Sequence, residues 1–204
     1  MTVIQVFADV GCPFTHVGLK RFVAHRRTTG RDDVRLHVRS WPLEIVNGRP
    51  LDPSFIAEEI DEIREQLGPD VFEGFDPLTF PESSIPAMAL AAAGYRRDVE
   101  TGEAVSLELR DVCFEDGRDI ADDAVLAAVA ARHDIEATDA DVAQVHDDLA
   151  AGRELGVIGS PHFFTPGGGF FCPALDVSRA DDGHLRILAD PHGFDAFIEA
   201  CFAA

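Results

Sequence analysis

The sequence contains no Cys-x-x-Cys pair, although it has four cysteines. They lie far apart, at Cys12, Cys113, Cys172 and Cys201. Such wide spacing gives neither the ligand pattern of a zinc knuckle nor a disulfide framework. The eight histidines are scattered along the chain, so we expect no metal site.

Positive charge is also scarce, because 17 basic residues stand against 37 acidic ones and the net charge is −20. Lys20 is the only lysine. A surface this acidic repels phosphate backbones and anionic membranes. We therefore expect neither a nucleic-acid partner nor a membrane partner.

Long hydrophobic runs are absent too. No apolar stretch approaches the about 20 residues of a membrane-spanning helix. Residues 1–7 lack the basic flank and apolar segment of a signal peptide, and they alternate like a strand. These features predict a cytoplasmic protein.

The patterns that are present switch between strand and helix. Residues 2–8 and 34–39 are rich in β-branched and alternating apolar residues, which predicts two strands. Between them, Leu19 and Phe22 are spaced as on one face of a helix. The opening is therefore a strand–helix–strand unit with Cys12 at its first turn.

The rest of the chain is helical in the middle and extended near the end. Apolar spacing predicts helices over residues 52–67, 84–95, 103–114, 122–133 and 138–155. Extended segments follow at residues 162–164, 170–172, 175–177 and 185–188, before a terminal amphipathic helix over residues 194–201. We interpret this order as one α/β sheet interrupted by a helical insertion.

Cys12 has the clearest chemical signature. Pro13 suits the first position of a helix, so Cys12 caps the helix that follows. The unpaired N–H groups and the dipole at a helix N-terminus favour a thiolate, and they lower the pKa of a cysteine from about 8.5. A thiolate attacks disulfides and electrophilic carbon. The alternative is that Cys12 is a small buried hydrophobic residue.

Ser160 and Pro161 are the second notable feature. Glycines flank the preceding Val157-Ile158 pair, and an apolar strand follows. A cis Ser160–Pro161 bond would leave the backbone N–H and C=O of Ser160 able to pair with an extended thiol peptide.

Together these segments resemble the DsbA-like branch of the thioredoxin superfamily, on the motifs Gly11-Cys12-Pro13-Phe14-Thr15, Gly156-Val157-Ile158-Gly159-Ser160-Pro161 and Phe114-Glu115-Asp116-Gly117-Arg118-Asp119-Ile120. This branch includes disulfide oxidoreductases, 2-hydroxychromene-2-carboxylate isomerases and kappa-class glutathione transferases. The resemblance implies an α/β thioredoxin-like fold with a large all-helical insertion. It places a thioredoxin-like domain at residues 1–48 and 154–204, and a helical insertion domain at residues 49–153. It also implies that Pro161 is cis and lies against Cys12.

One position departs from the oxidoreductase pattern, because Thr15 stands where those enzymes have a second cysteine. A lone thiol cannot release a mixed disulfide by internal attack and needs another thiol. We expect a thiol-dependent oxidoreductase whose catalytic residues are Cys12 and Thr15, with the Thr15 hydroxyl bonded to the Cys12 thiolate. Two alternatives stay open: an isomerase or transferase that depends on a low-molecular-weight thiol, and a non-catalytic thioredoxin-like binding module.

The expected partners follow from this chemistry. We expect a small thiol or a thiol/disulfide substrate, bound by residues around the motif: Pro13, Phe14, His16, Ser160, Pro161 and Asp176. No covalently bound cofactor is expected, whereas glutathione or another low-molecular-weight thiol is a candidate for transient binding. Kappa-class relatives pair through their surfaces, so a homodimer is a further expectation.

His16 and Cys172 each have two open interpretations. His16 either lends positive charge to Cys12 or lies on a solvated helix surface. Asp176 lies near the position at which kappa-class relatives hold the amino group of glutathione. Cys172 is either an unusual resolving thiol or a structural thiol on a sheet. By contrast, Cys113 and Cys201 fall on apolar helix faces and are expected in the core.

Overall fold

The computed structural model describes residues 1–68, 70–179 and 185–202. The chain opens with strand β1 (Thr2–Ala8), helix α1 (Pro13–Thr29) and strand β2 (Val34–Ser40), as the sequence predicts. The two strands are parallel, with Val6 opposite Val38. Gly30 ends α1 in the left-handed conformation (φ 65°), in which a glycine has no Cβ penalty. Cys12 thus lies at the carboxyl end of a buried strand, directly before a helix.

The main sheet has four strands in the order β2-β1-β3-β4. Strand β3 (His162–Thr165) runs antiparallel to β1, and strand β4 (Gly168–Phe171) runs antiparallel to β3. Since β3 pairs with the carboxyl half of β1, residues just before β3 are brought to the same edge of the sheet as Cys12.

The last two strands correct one expectation. Strands β5 (Leu175–Arg179) and β6 (Leu185–Ala189) pair with each other in a separate two-stranded sheet, within the described residues. The prediction of a single sheet is therefore wrong. Cys172 has a positive φ of 44°, and Pro173 has no N–H to donate, so β4 ends there and the chain turns away.

The helices between β2 and β3 form the predicted insertion: α2 (Leu43–Val46), α3 (Pro53–Leu67), α4 (Ile85–Arg97), α5 (Val99–Phe114), α6 (Asp123–His133) and α7 (Asp139–Glu154). The short α2 was not predicted. Helix α5 begins four residues earlier than expected, because the Asp98 side chain accepts the N–H of Thr101 and caps it. Helix α8 (Pro191–Phe202) ends the described chain. The exact domain boundaries stay a prediction.

The core lies where α1, the main sheet and the insertion meet. Its fully buried members include Ile4, Leu19, Phe22, Leu36, Phe114, Phe163 and Phe197. Cys113 and Cys201 are buried in the same cluster, which confirms their expected place in the core. Among the helices of the described residues, none combines the length and the apolar character that crossing a membrane would require.

Candidate active site

Cys12 occupies the N-cap of α1 with extended backbone angles (φ −89°, ψ 115°). Its thiol donates a hydrogen bond to the carbonyl oxygen of Ser160, with 3.3 Å between the two heavy atoms. The side chain is only 3% exposed. The structure therefore brings together two residues that the sequence separates by 148 positions.

Thr15 lies one turn further along α1 and is fully buried. Its Oγ1 is 2.9 Å from the Oγ of Ser160, which also accepts the backbone N–H of Asp9 at 2.9 Å. Thr15 thus fixes the Ser160 side chain, while the Ser160 main chain holds the Cys12 thiol. The predicted residues Cys12, Thr15 and Ser160 form one cluster.

The protonation state of Cys12 differs from the expectation. Burial raises the pKa of the Cys12 thiol to about 11, although hydrogen bonding from the Ser160 and Thr15 side chains acts in the opposite direction. The nearby charge of Glu59 raises it further. The pKa shift is opposite to the one expected at a helix N-terminus, because desolvation outweighs the effect of the helix terminus. The neutral S–H instead serves as a hydrogen-bond donor.

Pro161 completes the same segment. The Ser160–Pro161 peptide bond is cis, as the resemblance implied, and Pro161 is buried. Its carbonyl oxygen accepts the backbone N–H of Cys172 at 3.0 Å. On the other side, a Cβ placed on Gly18 of α1 would lie 3.9 Å from the Pro161 ring. Pro161 is therefore packed between α1 and the end of β4.

A buried carboxylate that the sequence analysis missed supports this cluster. Asp9 is completely buried and accepts the N–H groups of Gly11 (2.8 Å) and Leu43 (2.7 Å), together with the Ser84 hydroxyl at 3.1 Å. Burial raises the pKa of Asp9, and the two backbone hydrogen bonds oppose that rise. In the sequence, the signal for this residue is its position as a charged residue directly after an apolar strand. Asp9 holds the loop that carries Cys12 in place.

Arg110 is a second buried charge that the sequence did not reveal. Its guanidinium donates to the backbone and side-chain oxygens of Ser106 and to the carbonyl oxygen of Asp9. Burial lowers the pKa of Arg110, whereas the charge of Asp9 raises it. Its Nε–H has no hydrogen-bond partner among the described residues. This positive charge lies beneath the site, within electrostatic reach of Cys12.

His16 takes a position that neither alternative foresaw. It is 1% exposed, and its Nε2 lies 2.6 Å from Oε1 of Glu115, which also receives the Lys20 ammonium at 2.6 Å. Burial lowers the pKa of His16, so its imidazole is neutral near pH 7 and does not supply the expected positive charge. His16 serves instead to join α1 to the end of α5.

The same residues form a group that could ligate a cation. The ligand atoms of His16, Asp111 and Glu115 lie within 4.8 Å of one another. The Lys20 ammonium, however, already contacts Glu115 and lies 3.4 Å from Asp111. A metal ion would have to displace this ammonium, so Lys20 supplies the positive charge that balances the two carboxylates.

The remaining predicted residues lie around the cluster with different exposures. Pro13 and Phe14 are buried in the first turn of α1. Asp176 is exposed on β5 and lines a cavity of about 410 Å³ together with Cys172. Whether any of them contacts a thiol stays a prediction.

Several solved structures have a similar fold but share little sequence identity with this chain. Cytosolic disulfide reductase DsbM from Pseudomonas aeruginosa superposes with a TM-score of 0.63 at 18% identity, covering 97% of each chain. Its structure with GSH gives a TM-score of 0.61, also at 18% identity, over 99% of this chain and 100% of the other. A 2-hydroxychromene-2-carboxylate isomerase gives 0.60 at 13% identity, over 83% of this chain and 88% of the other.

These likenesses establish the thioredoxin-like fold alone. No curated protein matches the sequence significantly. The family description "DSBA-like thioredoxin domain", however, matches residues 3–182, which contain both the Cys12 loop and the Ser160–Pro161 segment. The chain therefore belongs to the family of DSBA-like thioredoxin domains.

Proposed function

We propose that this protein is a thiol–disulfide oxidoreductase in which Cys12 is the nucleophile and a low-molecular-weight thiol such as glutathione supplies the reducing equivalents. The single observation that carries the proposal is the contact of the Cys12 thiol with the Ser160 carbonyl oxygen at 3.3 Å. The sulfur of the N-cap residue lies there against a main-chain group that an extended substrate can also use. The family membership and the disulfide reductase DsbM, which has a similar fold, support the same class of reaction.

The proposed reaction begins when substrate backbone competes for the Ser160 carbonyl. An incoming N–H that pairs with this oxygen removes the acceptor of the Cys12 S–H, so the proton is less firmly held. The Cys12 thiolate then attacks a sulfur of the substrate disulfide, forms a mixed disulfide and expels the other sulfur as a thiolate. The expelled thiolate takes up the proton that Cys12 loses.

The cycle closes when another thiol attacks the substrate sulfur that is bonded to Cys12 in the mixed disulfide, so that the Cys12 sulfur is the leaving group. Thr15 cannot do this, because its hydroxyl is not a redox group and is bonded to Ser160. If glutathione attacks, it leaves in a disulfide with the group that Cys12 carried, and Cys12 is restored as a thiolate. The DsbM structure with GSH supports the choice of glutathione as the first thiol to test.

A second candidate function rests on the neutral state of Cys12. With its pKa raised by burial to about 11, the thiol is a hydrogen-bond donor at pH 7, as a hydroxyl would be. Such a donor can orient the sulfur of bound glutathione for attack on carbon, which is isomerase or transferase chemistry. The similar fold of the 2-hydroxychromene-2-carboxylate isomerase supports this candidate.

One pair of variants separates the two candidates. The assay follows the reduction of a glutathione-containing mixed disulfide, with glutathione as reductant. The Cys12→Ser variant keeps a donor but loses the nucleophile, so we expect disulfide reduction to vanish. The Cys201→Ala variant is a matched control, since it removes another buried thiol from α8, and it should retain wild-type rates.

The outcome against the proposal is equally clear. Full disulfide reduction by Cys12→Ser would exclude Cys12 as the nucleophile. Saturable glutathione binding by calorimetry, unchanged in Cys12→Ser and without disulfide reduction by the wild type, would favour the isomerase or transferase function instead.

A further inference from the structure

Cys172 lies beside the candidate active site, 160 positions after Cys12 in the sequence. Its backbone N–H donates to the carbonyl oxygen of Pro161 at 3.0 Å, while the Cys12 thiol donates to the carbonyl oxygen of Ser160 at 3.3 Å. The two cysteines therefore bind consecutive carbonyl groups of the same segment. Both are buried, at 3% and 8% exposure, in one continuous apolar cluster.

The pKa shifts of the two thiols agree with their burial close to the same segment. After burial, which is the largest cause, the charge of Cys12 is the next to raise the pKa of Cys172, to about 12. The charge of Glu59 raises the pKa of both thiols. By contrast, burial alone raises the pKa of Cys201. Ionisation of Cys12 would thus oppose ionisation of Cys172, whereas burial is the one cause that shifts the pKa of Cys201.

The backbone at Cys172 also sets it apart. Its φ of 44° lies in the left-handed region, which is unfavourable for a residue with a Cβ. A glycine would avoid this cost, yet the position carries a thiol that lines a cavity with Phe171 and Asp176. This turn at the end of β4 therefore places Cys172 at the edge of that cavity.

From this juxtaposition we propose that Cys172 is the resolving thiol of the site and replaces the second cysteine that the Cys12–Thr15 motif lacks. The inference rests on the proposed oxidoreductase function. It adds an internal second step, in which Cys172 attacks the mixed disulfide on Cys12 before an external thiol does.

After Cys12 has formed a mixed disulfide with one half of the substrate, the Cys172 sulfur attacks the Cys12 sulfur. A Cys12–Cys172 disulfide forms, the bond to the substrate sulfur breaks, and the substrate thiolate takes the proton of Cys172. The substrate disulfide has then been reduced to two thiols and the protein oxidised by two electrons. Two molecules of a low-molecular-weight thiol reduce the protein again and leave as their own disulfide.

All four cysteines are free in the structure, which corresponds to the reduced state of this cycle. Closing the bond requires a sulfur–sulfur distance of about 2.0 Å. Oxidation would therefore draw the Cys172 sulfur onto the Cys12 sulfur.

The test uses the full chain with glutathione disulfide as the probe. Samples are quenched with acid over time and analysed by intact mass and by peptide mapping without reductant. In the wild type we expect a transient glutathione adduct on Cys12, followed by a Cys12–Cys172 disulfide. In Cys172→Gly, which removes the thiol and suits the positive φ, the adduct should persist about tenfold longer or more.

Two further variants serve as controls. Cys172→Ser keeps the size of the side chain and should behave as Cys172→Gly does, whereas Cys201→Ala should behave as the wild type does. Circular dichroism verifies that each variant is folded. A wild-type adduct that lasts as long as the adduct in Cys172→Gly would overturn the role of Cys172 but leave Cys12 as the nucleophile. If Cys12 forms no adduct in any variant, the proposed function itself fails.

Discussion

His16 and Glu115 lie 99 residues apart in the sequence, yet their Nε2 and Oε1 atoms are 2.6 Å apart. The pair joins the first turns of α1 to the end of α5, and Lys20 bonds to the same carboxylate oxygen. Burial opposes ionisation of Glu115, but the hydrogen bonds from His16 and Lys20 lower its pKa to about 2. This ionised carboxylate therefore links the helical insertion to the helix that carries Cys12.

The Glu115→Gln variant tests the contribution of this charge to stability. A carboxyl whose pKa falls from 4.5 to about 2 on folding stabilises the fold fully above pH 4.5, and this stabilisation is lost as the pH falls toward about 2. We therefore expect the variant to unfold at lower urea concentration at pH 7. The difference from the wild type should shrink through that acidic window.

The exposed Glu82 provides the control, because Glu82→Gln removes the same charge without removing a buried hydrogen-bond partner. The free energy of unfolding of this variant should stay within about 0.5 kcal/mol of the wild-type value. A Glu115→Gln deficit that is equally large at pH 7 and at the acid end would show that packing, rather than charge, makes the difference.

Gly152 on α7 packs so closely on the core that an alanine does not fit. A Cβ at this position would lie 2.7 Å from Trp41 Cζ3 and 3.0 Å from Phe7 Cδ1, which are ring atoms of buried residues. Overpacking of this kind costs about 1–3 kcal/mol, which exceeds the about 0.5–1 kcal/mol that alanine gains over glycine in a helix. Gly152→Ala should therefore lower the free energy of unfolding, measured by urea denaturation.

Gly18→Ala on α1 is the matched comparison. The nearest atoms to its Cβ, on Phe163 and Pro161, would both be 3.9 Å away, which is ordinary contact. Only the helix propensity gain remains, so we expect stabilisation by about 0.5–1 kcal/mol. Equal effects of the two substitutions would contradict the packing described for α7.

Local patterns in the sequence were enough to predict the elements around Cys12. The alternation in β1, the Pro13 start of α1 and the apolar spacing of the helices depend on near neighbours, so they are readable without a structure. Only the family resemblance predicted that the Ser160–Pro161 segment lies against Cys12, since nothing local connects residues 148 positions apart.

The parts that were missed all depend on tertiary burial. Asp9 and Arg110 are charged residues that become buried because distant backbone and side-chain groups bond to them. His16 is buried because Glu115 meets it from α5. The predicted direction of the Cys12 pKa shift was wrong for the same reason. The helix terminus is a local feature that the sequence shows, whereas desolvation depends on tertiary burial.

Asp9→Asn tests the buried carboxylate beneath the active-site loop. Asp9 presents acceptors to the N–H groups of Gly11 and Leu43, one on each oxygen. An asparagine has one acceptor and one NH₂ group, so one buried N–H loses its partner whichever way the amide turns. We expect a loss of about 1–3 kcal/mol in the free energy of unfolding.

Asp76→Asn is the control for this substitution. Asp76 also accepts a backbone N–H, from Leu78, but it is exposed and water can replace the lost acceptor. Its effect should stay within about 0.5 kcal/mol. If both variants lose the same free energy, the burial of Asp9 has no special role in holding the loop.

Thr15→Val tests the hydroxyl beside the proposed nucleophile, Cys12. Hydrogen bonding from Thr15 and Ser160 lowers the pKa of Cys12 against the larger effect of burial, which leaves it at about 11. Valine has the shape of threonine without the hydroxyl, so the pKa of Cys12 should rise further. At a given pH below that value, the thiolate fraction and the alkylation rate of Cys12 by iodoacetamide should fall by up to about tenfold. Thr28 is exposed near the other end of α1 and serves as the control. In Thr28→Val, the alkylation rate of Cys12 should equal the wild-type rate. An unchanged rate in Thr15→Val would mean that the Thr15 hydroxyl does not contribute to the pKa of Cys12.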